Sequence, residues 1–226
     1  TNVDGIYVYE LVSVGYNGSP DCLNPVTGQT ATVEVIASPP VGPISGGAVS
    51  VCVGGTTPPF SNTTPLGTWS IINGTGSASI DNLTGIVTGI TAGQVTVVYT
   101  VGDGTCQNSA TVPLTVVPTT TTADAGPDKS ICHPFFTGSP SVSLDGNTPA
   151  AGQAGTWSVV TGPGAIPDLF SNVNDPNATF TPQNGAGPYT LRWTITNPPC
   201  DPSFNDVVID VVLAPATPPA PITNTA

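Results

Sequence analysis

The chain has 226 residues, and Lys129 and Arg192 are its only basic side chains against fourteen Asp and Glu, for a formal net charge of -12. Nucleic acid and anionic membrane surfaces are held by clustered Lys and Arg, so both are excluded as partners. No run of eighteen apolar residues is present to be inserted in a bilayer, and no sustained 3.6-residue apolar period survives the spacing of 26 Pro and 26 Gly.

Taken in chain order, the apolar residues alternate. Residues 7–14 (Tyr-Val-Tyr-Glu-Leu-Val-Ser-Val) and 30–36 read as two strands on either side of Cys22. The proline-rich joint 37–43 follows, then Cys52, then the phrase Gly67-Thr68-Trp69-Ser70. Residues 95–101 and 111–117 give two more alternating strands on either side of Cys106. After a second joint at Pro118 and residues 119–122 the order repeats: Cys132, Gly155-Thr156-Trp157-Ser158, an alternating strand at 189–195, Cys200 and a final apolar strand. A third proline-rich joint begins at Ala214.

A fixed order of landmarks recurring at 80 to 94 residues is the signature of tandem domains. The fold class expected is all-β, as tandem Ig-like β-sandwiches strung on polyproline-like spacers in an extended rod. Residues 38–118 and 119–214 read as complete units. Residues 1–37 match only the last third of a unit and are expected to be the C-terminal part of a truncated domain. Residues 215–226 read as a linker and the start of a further repeat. No signal peptide is visible and the chain opens on Thr1, as expected of a processed or excised piece.

Dividing the five cysteines by repeat pairs Cys52 with Cys106 and Cys132 with Cys200, each within one unit, and leaves Cys22 unpaired by truncation. Each such bond would close a loop of more than fifty residues, worth roughly 4 kcal/mol in the chain-entropy picture. Disulfides imply an oxidising compartment, hence an extracellular or cell-surface location. Zinc is disfavoured, since there is one His and no Cys-x-x-Cys.

Trp69 and Trp157 stand about midway between the cysteines of their units, the Cys, Trp, Cys order of immunoglobulin-type sandwiches. Both are expected in the core, as is Trp193, which shares a strand face with Tyr189, Leu191 and Ile195 if alternation holds. The other reading of these rings is a sugar-stacking platform, which requires exposure.

Residues that could carry catalysis are few. His133 is the single imidazole, and its neighbour Cys132 is assigned to a disulfide, so no Cys-His nucleophile is expected. Glu10 and Glu34 lie on predicted strands and the aspartates mostly in turns, so no pair of acids faces across a cleft. Asp124, Asp128 and Asp145 are the candidates for a Ca²⁺ site, weighed against the turn-forming hydrogen bonds that Asp favours. No cofactor is expected. Lys129 could form an isopeptide bond, a role the disulfides already fill.

Residues 123–212 carry Ala123-Asp124-Ala125-Gly126-Pro127-Asp128, Val142-Ser143-Leu144-Asp145-Gly146, the run Asn-Asp-Pro-Asn-Ala-Thr from Asn174, and Gly187-Pro188-Tyr189-Thr190-Leu191-Arg192-Trp193. In these the segment resembles a PKD-type Ig-like domain. It departs from that family where a Trp-Asp-Phe-Gly-Asp-Gly segment usually lies, since Gly155-Thr156-Trp157-Ser158 stands there, and it lacks the Asp-x-Asp-Gly linked with calcium in some members. The middle unit, with Gly74-Thr75-Gly76-Ser77-Ala78 and Leu83-Thr84-Gly85-Ile86-Val87-Thr88-Gly89-Ile90, resembles the bacterial Ig-like repeats that alternate with PKD-like units in giant Bacteroidetes surface proteins. These include gliding-motility adhesins of the SprB type, cargo of the type IX secretion route.

The resemblance implies a non-catalytic stalk or filament segment of a secreted cell-surface adhesin. Its partners would be neighbouring repeats of the same chain, surface polysaccharide or other filament subunits. Two alternatives stay open: a glycan- or surface-binding module, for which residues 161–177 are the one elaborated loop, and accessory domains of a larger secreted hydrolase.

Overall fold

The computed structural model describes residues 4–16, 22–104, 106–133, 140–164 and 169–213. Every regular element among them is a β-strand, so the chain is all-β. The strands fall into three consecutive sets.

The first set comprises β1 (Gly5–Glu10), β2 (Ser13–Tyr16), β3 (Cys22–Pro25) and β4 (Thr30–Val35). β1 pairs antiparallel with β4, from Gly5 opposite Val35 to Glu10 opposite Thr30, and β2 pairs with β3. These strands lie outside both core clusters of the molecule, and Ile6, Tyr7, Val8, Tyr9 and Val33 are exposed.

The second set runs β5 (Ile44–Gly46), β6 (Ser50–Cys52), β7 (Phe60–Asn62), β8 (Thr68–Asn73), β9 (Ser77–Ile80), β10 (Val87–Thr91), β11 (Gly93–Asp103) and β12 (Cys106–Val117). A four-stranded sheet in the order β6-β12-β11-β8 packs on the pairs β5-β7 and β9-β10. Its inward face carries Trp69, Val95, Val97, Tyr99, Leu114 and Val116, which meet Phe60, Ala78 and Val87 from the opposite layer. The period-2 alternation of β11 puts these side chains on one face.

The third set has the same plan: β13 (Lys129–His133), β14 (Val142–Ser143), β15 (Ala154–Thr161), β16 (Leu169–Phe170), β17 (Thr179–Thr181), β18 (Gly187–Asn197) and β19 (Cys200–Leu213). The sheet β13-β19-β18-β15 faces β14-β17-β16 across a core that includes Leu144, Trp157, Phe180, Tyr189, Trp193 and Ile209. Both sets are thus two-layer sandwiches of the Ig-like kind, each with its own core.

The repeated Gly-Thr-Trp-Ser phrase has a local cause. Trp69 lies opposite Tyr99 on the neighbouring strand, and Trp157 lies opposite Trp193. Ring centroids are 4.6 Å apart in the first pair and 5.0 Å in the second, within the range where tilted aromatic pairs attract. The cross-strand ring then leans over the glycine two residues before the Trp. A Cβ on Gly67 would stand 2.3 Å from Cζ of Tyr99, and one on Gly155 2.2 Å from Cζ2 of Trp193. The polar atoms of these rings are used as well. The Tyr99 hydroxyl donates to the Thr64 carbonyl at 2.7 Å, Trp157 Nε1 to the Asp175 carbonyl at 3.1 Å, and Trp193 Nε1 to the Asn147 carbonyl at 3.1 Å.

Candidate functional site at the joint between units

The position of each cysteine follows from strand pairing. β6 runs parallel to the end of β12, with Cys52 opposite Val117, the last residue of that strand, whereas Cys106 is its first. Eleven residues of extended chain span about 36 Å, far beyond the 7 Å or so that a disulfide can bridge between Cα atoms. β13 and β19 repeat the arrangement, with Cys132 opposite Val212 and Cys200 opening the strand. The two cysteines of one unit therefore lie at opposite poles.

This corrects the pairing expected from sequence. Cys52 is bonded to Cys200, across 148 residues of sequence, with Cα atoms 5.1 Å apart. Cys106 does not bond Cys52, and Cys132 is an exposed free cysteine. The side chains of Cys22 and His133 lie outside what the structure describes, as do residues 214–226.

The bond sits where the chain passes from the second set to the third. Asn197, the buried last residue of β18, donates from Nδ2 to the Pro118 carbonyl at 2.7 Å. The same carbonyl oxygen lies 3.1 Å from Sγ of Cys200. The hydroxyl of Thr120 donates to the Asp201 carbonyl at 2.7 Å, and the amide nitrogen of Thr121 donates to Oε1 of Gln153 at 2.9 Å. Further on, the amides of Ala123 and Ala125 donate to Ser203 Oγ and Asn205 Oδ1, both at 2.9 Å. Residues 118–125 are thus fastened to the third sandwich by side-chain hydrogen bonds. A cleft of about 430 Å³ is lined by both cysteines together with Val53, Gly54, Thr119 and Pro199.

The preceding joint repeats the hydroxyl contact and has a different Asn contact. Ser38 Oγ donates to the Gln107 carbonyl at 3.0 Å, and Asn108 Nδ2 to the Pro39 carbonyl at 3.1 Å. In both joints an incoming hydroxyl meets the carbonyl of the residue just after the hairpin cysteine, Cys106 in one case and Cys200 in the other.

One inter-unit bond constrains both sandwiches. While the third sandwich stays folded, Cys200 is held beside Pro118, so the bond closes the stretch from Cys52 to Pro118. While the second stays folded, Cys52 is held beside Val117, and the bond closes the stretch from there to Cys200. These loops of about 65 and about 80 residues are each worth about 4 kcal/mol as a chain-entropy ceiling.

The aspartates proposed for calcium are used separately. Asp124 Oδ1 accepts from the Gly126 amide at 2.9 Å, Asp128 Oδ1 accepts from the Val208 amide at 2.8 Å, and Asp145 forms an ion pair with Lys129 at 2.6 Å. Among the described residues no group of three His, Cys, Asp or Glu is placed to hold a metal ion. The three tryptophans are buried, Trp69 at 7%, Trp157 at 2% and Trp193 at 0% exposure, and offer no ring face to a sugar. Glu10 and Glu34 stand on β1 and β4, with Glu34 opposite Ile6.

Two carboxylates have perturbed acidity, both for local reasons. The Asp206 carboxyl is held below its ordinary range by a two-point hydrogen bond from Arg192, at 2.7 and 2.9 Å. Arg192 also lies 4.0 Å above the Phe204 ring. Asp81 is lowered by the backbone amides of Thr84 and Leu83, which donate to its Oδ1 in the turn before β10.

No protein-family model matches the chain, and no curated protein matches it in sequence. Solved structures similar to it include the PKD domain from the KIAA 1837 protein, at 28% identity and TM-score 0.34 over 43% of this chain and 91% of that one. An I-band fragment of titin aligns at 15% identity and TM-score 0.41 over 76% of this chain and 66% of that one. Extracellular domains 3 to 5 of Drosophila OTK align at 12% identity and TM-score 0.45 over 92% and 71%. The strand pairing, not these likenesses, defines the sandwiches.

Proposed function

We propose that residues 38–118 and 119–214 are consecutive structural units of a secreted bacterial cell-surface adhesin, and that the chain serves as a non-catalytic stalk or filament segment. The observation that carries this reading is the Cys52–Cys200 bond between two separately cored sandwiches. A covalent tie between units does nothing for a reaction at either one. It fixes the geometry of the joint and carries tension past both cores. A disulfide also fits an oxidising, extracellular location, and a net charge of -12 with two basic side chains disfavours lateral association of like segments. The partners proposed are neighbouring repeats, with surface polysaccharide or other filament subunits beyond them, in the manner of gliding-motility adhesins.

The test is an in-frame deletion of residues 38–213 from the full-length protein in the cells that make it, followed by electron microscopy of surface filaments and an attachment assay. Filaments shortened by two units with attachment chemistry retained are expected. Unchanged surface structures together with loss of a hydrolytic activity would contradict the stalk reading.

A further inference from the structure

Register makes Cys132 the counterpart of Cys52. Val116 is opposite Gly93, and the residue after it, Val117, is opposite Cys52; Val211 is opposite Gly187, and the residue after it, Val212, is opposite Cys132. At the other pole Cys106 is opposite Asp103 and Cys200 opposite Asn197, each closing the hairpin that leads into the long last strand. Every complete unit therefore presents one cysteine at each pole, and within a unit they are too far apart to meet. The bond seen joins the upstream cysteine of one unit to the hairpin cysteine of the next. The hydroxyls of Ser38 and Thr120 each donate to the carbonyl of the residue after the hairpin cysteine, so one docking contact recurs at two successive joints.

We propose that Cys132 is the attachment point for the hairpin cysteine of another unit of this type following residue 213, so that disulfides run as a ladder, each tying a unit to its successor. Cys132 has the required exposure and is free. In forming the bond, the two thiols lose two protons and two electrons to the disulfide of a thiol oxidoreductase, which leaves as a dithiol, and one S–S bond replaces two S–H bonds. The proposal rests on the tandem-array reading.

The experiment is alkylation of the native full-length protein without reduction, followed by proteolysis and mass spectrometry of the cross-linked peptides. The expected result is the Cys132 peptide linked to a cysteine that opens, in a following unit, its last strand, with Cys52–Cys200 present in the same digest. Recovery of Cys132 as an alkylated thiol while Cys52–Cys200 is intact overturns the ladder, as does a bond from Cys132 to Cys106, to Cys200 or to Cys132 of a second molecule. Because the map reads bonds alone, the ladder can fail while the deletion test of the stalk still succeeds, and the reverse.

Discussion

Cys52 and Cys200 are separated by 148 residues of sequence, and their Cα atoms lie 5.1 Å apart. Neither residue's sandwich needs the other for its core, since the two clusters share no residue. The bond therefore acts on the joint and on the unfolded chain rather than on packing. It belongs with Asn197, Thr120 and Pro118, which close the same corner by hydrogen bonds.

Replacing Cys52 by Ser is expected to leave both sandwiches folded and to lower the stability of whichever unfolds first by up to about 4 kcal/mol, and of the other by under about 1 kcal/mol, since its unfolding only lengthens a loop already closed toward 148 residues. Urea titration followed by near-ultraviolet circular dichroism checks this, because Trp69 belongs to one core and Trp157 and Trp193 to the other. An unchanged first transition would show that the bond does not close a loop around the less stable sandwich.

Asn197→Ala should loosen the joint without removing the disulfide. It leaves the Pro118 carbonyl without its 2.7 Å donor in a half-buried setting, which costs about 1–3 kcal/mol. Amide hydrogen exchange is expected to rise at residues 119–123 and to stay unchanged in β11 and β12.

Gly155→Ala and Gly67→Ala are each expected to destabilise their own sandwich by about 1–3 kcal/mol, through a Cβ forced into the ring of Trp193 or Tyr99. Trp193→Ala should cost more, about 3–5 kcal/mol, since that ring is fully buried. Chemical denaturation of the single variants separates the two sandwiches.

The acid limb of stability follows from Asp206 and Asp81. Both have folded-state pKa values below the ordinary carboxylate value, so their contribution is present above the unfolded pKa of about 4 and is lost as pH falls through the folded value. Stability should be flat from about pH 5 to 8 and decline below about pH 4. Asp206→Ala and Asp81→Ala should each make that decline shallower, as read by denaturation midpoints against pH.

Much of the fold was legible because alternation is a local signal. The strands read at 95–101, 111–117 and 189–195 lie inside β11, β12 and β18, and Tyr189, Leu191, Trp193 and Ile195 share one fully buried face. The front half of β19 escaped notice, since Pro202, Ser203 and Asn205 break the apolar pattern while their side chains or neighbours serve the incoming chain. The disulfide partner was misread for a different reason. Order along the chain says which cysteines belong to a unit, but only strand direction says which poles they occupy. One clue was available: Cys106 and Cys200 each open a long final strand whose far end meets the unit's upstream cysteine. A second was the glycine that opens β1, β11 and β18, Gly5, Gly93 and Gly187, with φ of 150°, 140° and 137° and each opposite a valine of its set's last strand.

Force extension of the 226-residue chain, held at its ends and then exposed to a soluble thiol reductant, tests the inter-unit bond most directly. With Cys52 joined to Cys200, the 148 residues between them are withheld from extension. Reduction should release them in a single step of about 500 Å of contour. Two separate steps of about 190 and about 240 Å, the lengths hidden by bonds from Cys52 to Cys106 and from Cys132 to Cys200, would contradict the account.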